Sequence, residues 1–178
     1  MSASRILVTG GVRSGKSTHA ERLLQAHPEV TYVAPGQAPD PAVDPDWADR
    51  VAAHRSRRPA GWRTLETSDL AAALTGGGPL LVDCLGTWLT AVVDAAALWE
   101  APVDDVHDHV LAALDPAVEA LRAASGPVVV VTNEVGLGVV PAHRSGRVFR
   151  DLLGTVNQRV AAACDEVHLV IAGRVLVL

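Results

Sequence analysis

The residues best suited to chemistry are residues 10–17, which match the phosphate-binding pattern G-x-x-x-x-G-K-[ST] at every defined position. In such a loop, glycines let backbone N–H groups turn toward phosphate oxygens, and the next helix adds the positive end of its dipole. Lys16 would reach the β- and γ-phosphates of a nucleoside triphosphate, and Ser17 would hold Mg²⁺. The loop residues predicted to bind nucleotide are Gly10, Gly11, Val12, Arg13, Ser14, Gly15, Lys16 and Ser17.

A strand–helix turn that binds nothing is the alternative for this loop. We favour a nucleotide site, because chance rarely supplies Gly, Lys and Ser together at the end of a strand. Asp83 ends a second apolar run and would lie beside the loop, where an Asp holds Mg²⁺ directly or through water. Asp83 could instead cap the helix that begins at Leu85. With the loop upstream, we predict that Ser17 and Asp83 form the metal side of the site.

Residues 50–66 contain five arginines, although the protein as a whole is acidic. This concentration suggests that the segment binds an anion such as a phosphate chain. The alternative is a solvated helix end, where basic residues suit the dipole, and the residues alone leave both interpretations open. His54 lies among the arginines. A neutral imidazole can attack phosphorus, although a structural role is the commoner one for a lone histidine.

Glu134 follows an apolar run and is expected at the carboxyl edge of the sheet, where ligands bind in open α/β folds. It could activate a substrate hydroxyl or orient a water molecule. We favour the alternative, which is a structural acid that pairs with a neighbouring arginine.

The elements that position these residues are short apolar runs separated by helical stretches. Buried parallel strands are predicted at Ile6–Thr9, Val30–Ala34, Leu80–Cys84, Val128–Thr132 and Val167–Ile171. Helices are predicted at Ala20–Ala26, Asp46–Arg57, Asp69–Leu74, Leu85–Leu98, Val103–Ala124 and Ala142–Cys164. Residues 174–178 follow a brief turn and suit an antiparallel hairpin at the sheet edge. The alternation predicts an α/β fold with a mostly parallel central sheet flanked by helices.

Length and composition agree with this architecture. The 178 residues suffice for one domain, which we expect to span residues 1–178. A net charge of -5 argues against a general nucleic-acid-binding protein. The sequence has no apolar run of the ~20 residues that span a bilayer and no N-terminal signal pattern. We therefore expect a cytoplasmic protein without a membrane span.

Several blocks of the sequence match one family of enzymes. Besides the loop, they are residues 54–64 (HRSRRPAGWRT), 82–90 (VDCLGTWLT), 132–141 (TNEVGLGVVP) and 149–159 (FRDLLGTVNQR). With these blocks the chain resembles, from residue 6 to about 172, the bifunctional adenosylcobinamide kinase / adenosylcobinamide-phosphate guanylyltransferases of cobalamin biosynthesis. The resemblance implies a RecA-like phosphate-loop fold and a propeller-like homotrimer.

The resemblance also implies two reactions. A nucleoside triphosphate, ATP or GTP, phosphorylates adenosylcobinamide, and GTP then transfers GMP to that phosphate through a GMP–histidine intermediate. The catalytic residues would be His54, which carries GMP, and Lys16. Besides the loop, the nucleotide contacts would be Ala34, Pro35, Gly36, Arg55, Ser56, Arg57, Arg58, Glu66 and Asp83. Mg²⁺ would be the cofactor, and the corrinoid and the nucleoside triphosphates would be the small-molecule partners.

Two other functions compete with this one. The chain could be another small-molecule kinase in which His54 is incidental, or a non-catalytic RecA-like nucleotide-binding module. The arginine–histidine block favours the bifunctional enzyme over a simple kinase, which needs no lone histidine in such a cluster. The acidic total argues against a module that binds nucleic acid.

Overall fold

The computed structural model describes residues 4–38, 40–56 and 58–178. A seven-stranded sheet in the order β3-β2-β4-β5-β1-β6-β7 organises them, and all neighbouring strands are parallel except the antiparallel pair β6–β7. The strands are β1 (Arg5–Gly10), β2 (Thr31–Ala34), β3 (Arg63–Glu66), β4 (Leu80–Asp83), β5 (Val128–Val131), β6 (Glu166–Ile171) and β7 (Arg174–Val177). The parallel sheet and its antiparallel edge hairpin are as predicted.

Helices connect the strands and cover both faces of the sheet. They are α1 (Lys16–Leu23), α2 (Pro45–Ser56), α3 (Leu70–Thr75), α4 (Leu85–Ala95), α5 (Val103–Ala123) and α6 (Arg144–Ala161). Among the described residues, no helix is both long and apolar enough to cross a bilayer.

The central strand β5 explains why the apolar runs are continuous rather than alternating. Val128 and Val130 face the core that packs against α3 to α6, whereas Val129 and Val131 face the core beneath α1. All four are at most 3% exposed. A strand buried on both faces needs apolar residues at every position, which is the pattern that identified β5 in the sequence.

The structure differs from the predictions mainly at element ends and at one edge strand. Helix α1 begins at Lys16 rather than Ala20, because its first turn is the end of the phosphate loop. Strand β3 was not predicted, since its four residues are exposed and only one of them, Leu65, is apolar. It pairs with β2 next to the buried Trp62, whose indole N–H donates to the carbonyl of His27.

Parallel strands bring several loops to one edge of the sheet. The carboxyl end of β1 leads into the phosphate loop, that of β2 into residues 34–36, and that of β4 ends at Asp83. Residue Glu66 ends β3, and Asn133 lies just beyond β5. The fold therefore gathers the predicted site residues at the edge where open α/β sheets bind ligands.

Candidate nucleotide-binding and catalytic site

The phosphate loop turns tightly between β1 and α1, and two glycines permit its shape. A Cβ atom on Gly10 would lie 2.4 Å from the carbonyl oxygen of Val170, so no larger residue fits without a shift. Gly15 adopts φ +96°, a left-handed conformation that glycine tolerates best. The side-chain oxygen of Ser14 is buried and has no hydrogen-bond partner within the described residues. The loop thus holds an unused hydrogen-bonding group close to the N-terminus of α1.

Lys16 is the main charge of the loop. It is 5% exposed, and its Nζ donates a hydrogen bond to the carbonyl of Gly11 at 3.2 Å. No carboxylate in the described chain lies within 4 Å of this ammonium. Burial lowers the pKa of Lys16, while nearby Asp83 opposes this shift and Arg50 adds a smaller lowering contribution. A buried cation without a close ion pair is unfavourable, and a bound anion would relieve that cost.

Two cavities meet at this lysine. The inner cavity, of about 280 Å³, extends over the ends of β2 and β4 toward α4 and α6. The outer cavity, of about 960 Å³, lies between the phosphate loop and α2. The residues that line both cavities are Lys16, Ser17, Arg50 and His54. A ligand that occupies both cavities must therefore pass between the loop lysine and the helix histidine.

A chain of contacts fixes the surroundings of His54. Its Nδ1 lies 3.8 Å from Oδ2 of Asp83, and that oxygen also accepts a hydrogen bond of 2.9 Å from the hydroxyl of Tyr32. The Arg58 guanidinium stacks over the Tyr32 ring, 3.3 Å from its centre. Burial and the neighbouring Asp83 raise the pKa of Tyr32, so its hydroxyl stays protonated and donates. A proton on Nδ1 that faces Asp83 would leave Nε2 of His54 with its lone pair.

Replacing Tyr32 with phenylalanine is expected to destabilise the protein by about 1.5–3 kcal/mol, because the largely buried Asp83 carboxylate loses its donor. Urea unfolding of the wild type and the variant measures this loss. Thr64→Val is the control, since it removes the hydroxyl that accepts from Arg58 on the exposed strand β3. It should change the free energy of unfolding by at most about 0.5 kcal/mol. Equal effects of the two substitutions would contradict the expectation.

The other residues of the arginine-rich segment occupy different positions. Arg55 forms an ion pair with Glu66, and both side chains line the inner cavity. Ser56 donates to the carbonyl of Ala53 and lines neither cavity in the described structure. Arg57 lies outside the described residues.

The segment after β2 forms one wall of the inner cavity. Ala34 and Gly36 line it, whereas Pro35 is buried behind the wall. A Cβ atom on Gly36 would lie 2.9 Å from Cβ of Thr87. This close approach of β2's loop to α4 limits the width of the cavity.

Glu134 lies at the predicted edge but faces its own loop. Its Oε1 accepts a hydrogen bond of 2.7 Å from the backbone N–H of Gly136, and it lines neither cavity in the described structure. The neighbouring Asn133 lines the inner cavity instead, together with Phe149 from α6. The sequence motifs predict no role for Asn133 or Phe149, and they include Arg50 only as one arginine of the segment 50–66.

Ser17 and Asp83 both line the inner cavity and could hold a metal ion. The described residues contain no group of three or more His, Cys, Asp or Glu side chains placed around a metal position. Mg²⁺ at this place would therefore take most of its ligands from phosphate oxygens and water, as it commonly does in nucleotide sites. The hydroxyl and the single carboxylate fit that kind of coordination.

This chain is similar to one family of known proteins over most of its length. The family model of cobinamide kinase / cobinamide phosphate guanyltransferase matches residues 6–178. The bifunctional adenosylcobalamin biosynthesis protein CobU of Salmonella typhimurium is 42% identical over 177 residues, which cover 94% of this chain and 96% of that protein. The protein of the same name from Escherichia coli is 38% identical over 177 residues, with the same coverage.

A solved structure of a prototypical ATPase from the type III secretion system of pathogenic bacteria superposes with a TM-score of 0.57 at 12% identity. The match covers 94% of this chain and 51% of that structure, so this chain spans about half its length. At this identity the likeness concerns the fold alone, and it confirms the predicted RecA-like α/β architecture.

Proposed function

Because the chain belongs to the cobinamide kinase / cobinamide phosphate guanyltransferase family, we propose that it performs both reactions at the junction of its two cavities. The first transfers the γ-phosphoryl group of ATP or GTP to the hydroxyl of the aminopropanol arm of adenosylcobinamide. The second transfers GMP from GTP to the new phosphate, which gives adenosylcobinamide-GDP and pyrophosphate. The corrinoid and the nucleoside triphosphates are the small-molecule substrates.

The position of Lys16 beside His54 carries this proposal. Lys16 is a buried cation without an ion pair among the described residues, so the loop suits a phosphate chain. His54 lies at the same junction, where the outer cavity meets the inner one. A triphosphate held by the loop can therefore present its α-phosphorus to the histidine while the nucleoside extends into the inner cavity.

We assign the nucleophile to Nε2 of His54. It attacks the α-phosphorus, an N–P bond forms, and the bond to the bridging oxygen breaks as pyrophosphate leaves with the electron pair. The carboxylate of Asp83 faces Nδ1 and stabilises the positive charge that the ring acquires. An oxygen of the cobinamide phosphate then attacks the same phosphorus, the N–P bond breaks, and the imidazole is regenerated.

Other residues hold the nucleotide in this proposal. The loop N–H groups and Lys16 bind the phosphates, and Ser17 with Asp83 would hold Mg²⁺, which offsets phosphate charge when it is bound. Ala34, Pro35 and Gly36 flank the nucleoside. The remaining proposed contacts are Arg55, Ser56, Arg57, Arg58 and Glu66. Arg55, Arg58 and Glu66 line the inner cavity, which supports their part of the assignment.

We further propose that residues 1–178 act as one domain in a homotrimer in the cytoplasm, where ATP and GTP are available. Apolar side chains on the edge strand β7 support association, because Val175, Leu176 and Val177 are 41–57% exposed. Light scattering of the purified protein tests the trimer, and a monomeric mass would contradict it.

Product analysis tests the proposed function directly. The purified protein is incubated with Mg²⁺, adenosylcobinamide and GTP, and the products are identified by mass. We expect adenosylcobinamide phosphate first and adenosylcobinamide-GDP with pyrophosphate later. If the corrinoid stops at the phosphate, the chain is a kinase without guanylyl transfer. If neither product forms although GTP binds, the chain is a nucleotide-binding module and the proposal is wrong.

A further inference from the structure

Arg50 occupies the junction of the two cavities, although neither the motif nor the resemblance identified it. It lies four residues before His54 on α2 and lines both cavities, as do Lys16 and Ser17. Residues four apart on a helix have Cβ atoms about 5–6 Å apart on the same face. A phosphorus atom within reach of His54 therefore lies within reach of the longer Arg50 side chain.

The charge of Arg50 is not neutralised by a close partner. Arg55 pairs with Glu66, and Arg58 donates to Thr64 while it stacks on Tyr32. Arg50, in contrast, forms no ion pair or hydrogen bond within the described chain. Lys16 and Arg50 both line the two cavities, so two cations share the junction.

Three carboxylates line the outer cavity with Arg50, namely Asp44, Asp46 and Asp49. None of the ion pairs among the described residues joins one of them to the Arg50 guanidinium. The junction therefore holds two cations, Lys16 and Arg50, with no carboxylate in ion-pair contact with either in the described structure. This arrangement suits a group that gains negative charge between them.

We propose that Arg50 is a catalytic residue that donates hydrogen bonds to the oxygens of the α-phosphate of the GMP group transferred to His54. This inference rests on the proposed guanylyl transfer. As the N–P bond forms and the bond to pyrophosphate breaks, negative charge grows on the oxygens around the α-phosphorus and on the leaving group. The guanidinium offers planar paired donors to those oxygens, and Lys16 supports them from the loop side. Arg50 and His54 thus act from one face of α2.

The proposed role of Arg50 predicts which step slows when its side chain is removed. An interaction made mainly in the transition state affects the rate of transfer more than the binding of GTP. Loss of one such donor typically slows a reaction by about 10²–10³-fold. We therefore expect Arg50→Ala to form the GMP–histidine adduct about 100-fold more slowly, with a smaller change in the dissociation constant for GTP. Arg50→Lys keeps the charge and should recover part of the rate.

A single-turnover experiment with the full chain tests the inference. Wild type and variants are mixed with Mg²⁺ and GTP labelled at the α-phosphate, quenched in alkali, and assayed for acid-labile protein label over time. GTP affinity is measured separately by titration calorimetry. Arg22→Ala is the matched control, because Arg22 is exposed on α1 and lines neither cavity. It should label at the wild-type rate.

The outcomes separate the two proposals. If the wild type forms no adduct, the proposed guanylyl transfer fails, and the role of Arg50 fails with it. If the wild type labels and Arg50→Ala labels equally fast, guanylyl transfer stands and the role of Arg50 is wrong. If Arg50→Ala lost GTP affinity and labelling rate by the same factor, the catalytic role of Arg50 would also be wrong. Arg50 would then bind GTP in the ground state as strongly as in the transition state. Should Arg50→Ala fold poorly by circular dichroism, Arg50→Lys and Arg50→Met decide by the same comparison.

Discussion

His54→Ala is expected to abolish guanylyl transfer while it largely preserves cobinamide phosphorylation. Removal of a nucleophile eliminates the covalent route, and such losses reach roughly 10⁴-fold or more. The γ-phosphoryl transfer needs the loop and Lys16 but no bond to the histidine, so its rate should stay within about tenfold of the wild type. Labelled GTP and mass analysis of the corrinoid measure the two reactions on the same sample. The variant should accumulate adenosylcobinamide phosphate and form no labelled protein.

Two further variants make this result interpretable. His54→Gln keeps a polar side chain of similar size at the junction and should behave like His54→Ala. His109→Ala removes an exposed histidine from α5, which lines neither cavity, and should leave both reactions intact. An adduct that persists in His54→Ala would place the nucleophile elsewhere. Equal loss of both reactions would mean that His54 holds the site together rather than carrying GMP.

The sheet and the loop could be predicted from the sequence because their determinants are local. A phosphate loop must follow a strand and open a helix, and β5 must be apolar at every position because helices cover both faces. Strand β3 has no such signature. Its residues are exposed, and its partner strand β2 is distant in the sequence.

The different contacts of the arginines in residues 50–66 could not be predicted either, because they are made with residues distant in the sequence. The sequence shows five similar residues between 50 and 66, and all of them could bind an anion. The structure pairs Arg55 with Glu66 and stacks Arg58 on Tyr32, whereas Arg50 lines both cavities. Spacing along one helix could have placed Arg50 beside His54, but only the tertiary structure places it beside Lys16. The contact of Glu134 also required the tertiary structure, because its carboxylate accepts a hydrogen bond from the backbone N–H of Gly136 in its own loop.

Lys16→Met is expected to stop both reactions and yet to stabilise the protein without nucleotide. Both reactions should fall by about 10²-fold or more, because the loop loses the cation that binds the phosphates. Burial lowers the pKa of Lys16, so below that pKa folding must bury a charge that the unfolded chain leaves in water. An apolar side chain of similar length avoids this cost. The melting temperature of the variant should therefore equal or exceed that of the wild type at pH 7.

Because folding lowers the pKa of Lys16, the stability gained by Lys16→Met should depend on pH. The unfolded chain binds a proton at Lys16 more tightly than the folded chain, so wild-type stability rises with pH between the two pKa values. The advantage of Lys16→Met should therefore shrink as the pH rises toward the ordinary pKa of lysine. Melting curves of both proteins at neutral and alkaline pH measure this change. An advantage that grows with pH would contradict the assignment of a buried, charged lysine.

Bound GTP should make the wild type more stable than Lys16→Met. At 100 times its dissociation constant, GTP stabilises a protein that binds it by about 2.7 kcal/mol, and Lys16→Met should lose most of that effect. Lys16 is also the only lysine in the sequence, so selective lysine labelling gives one NMR signal for its side chain. That signal should titrate below the ordinary lysine pKa in the free protein and at higher pH once GTP supplies the counter-charge. If the pKa of Lys16 did not change when GTP is added, the proposal that this loop binds a triphosphate would lose its central support.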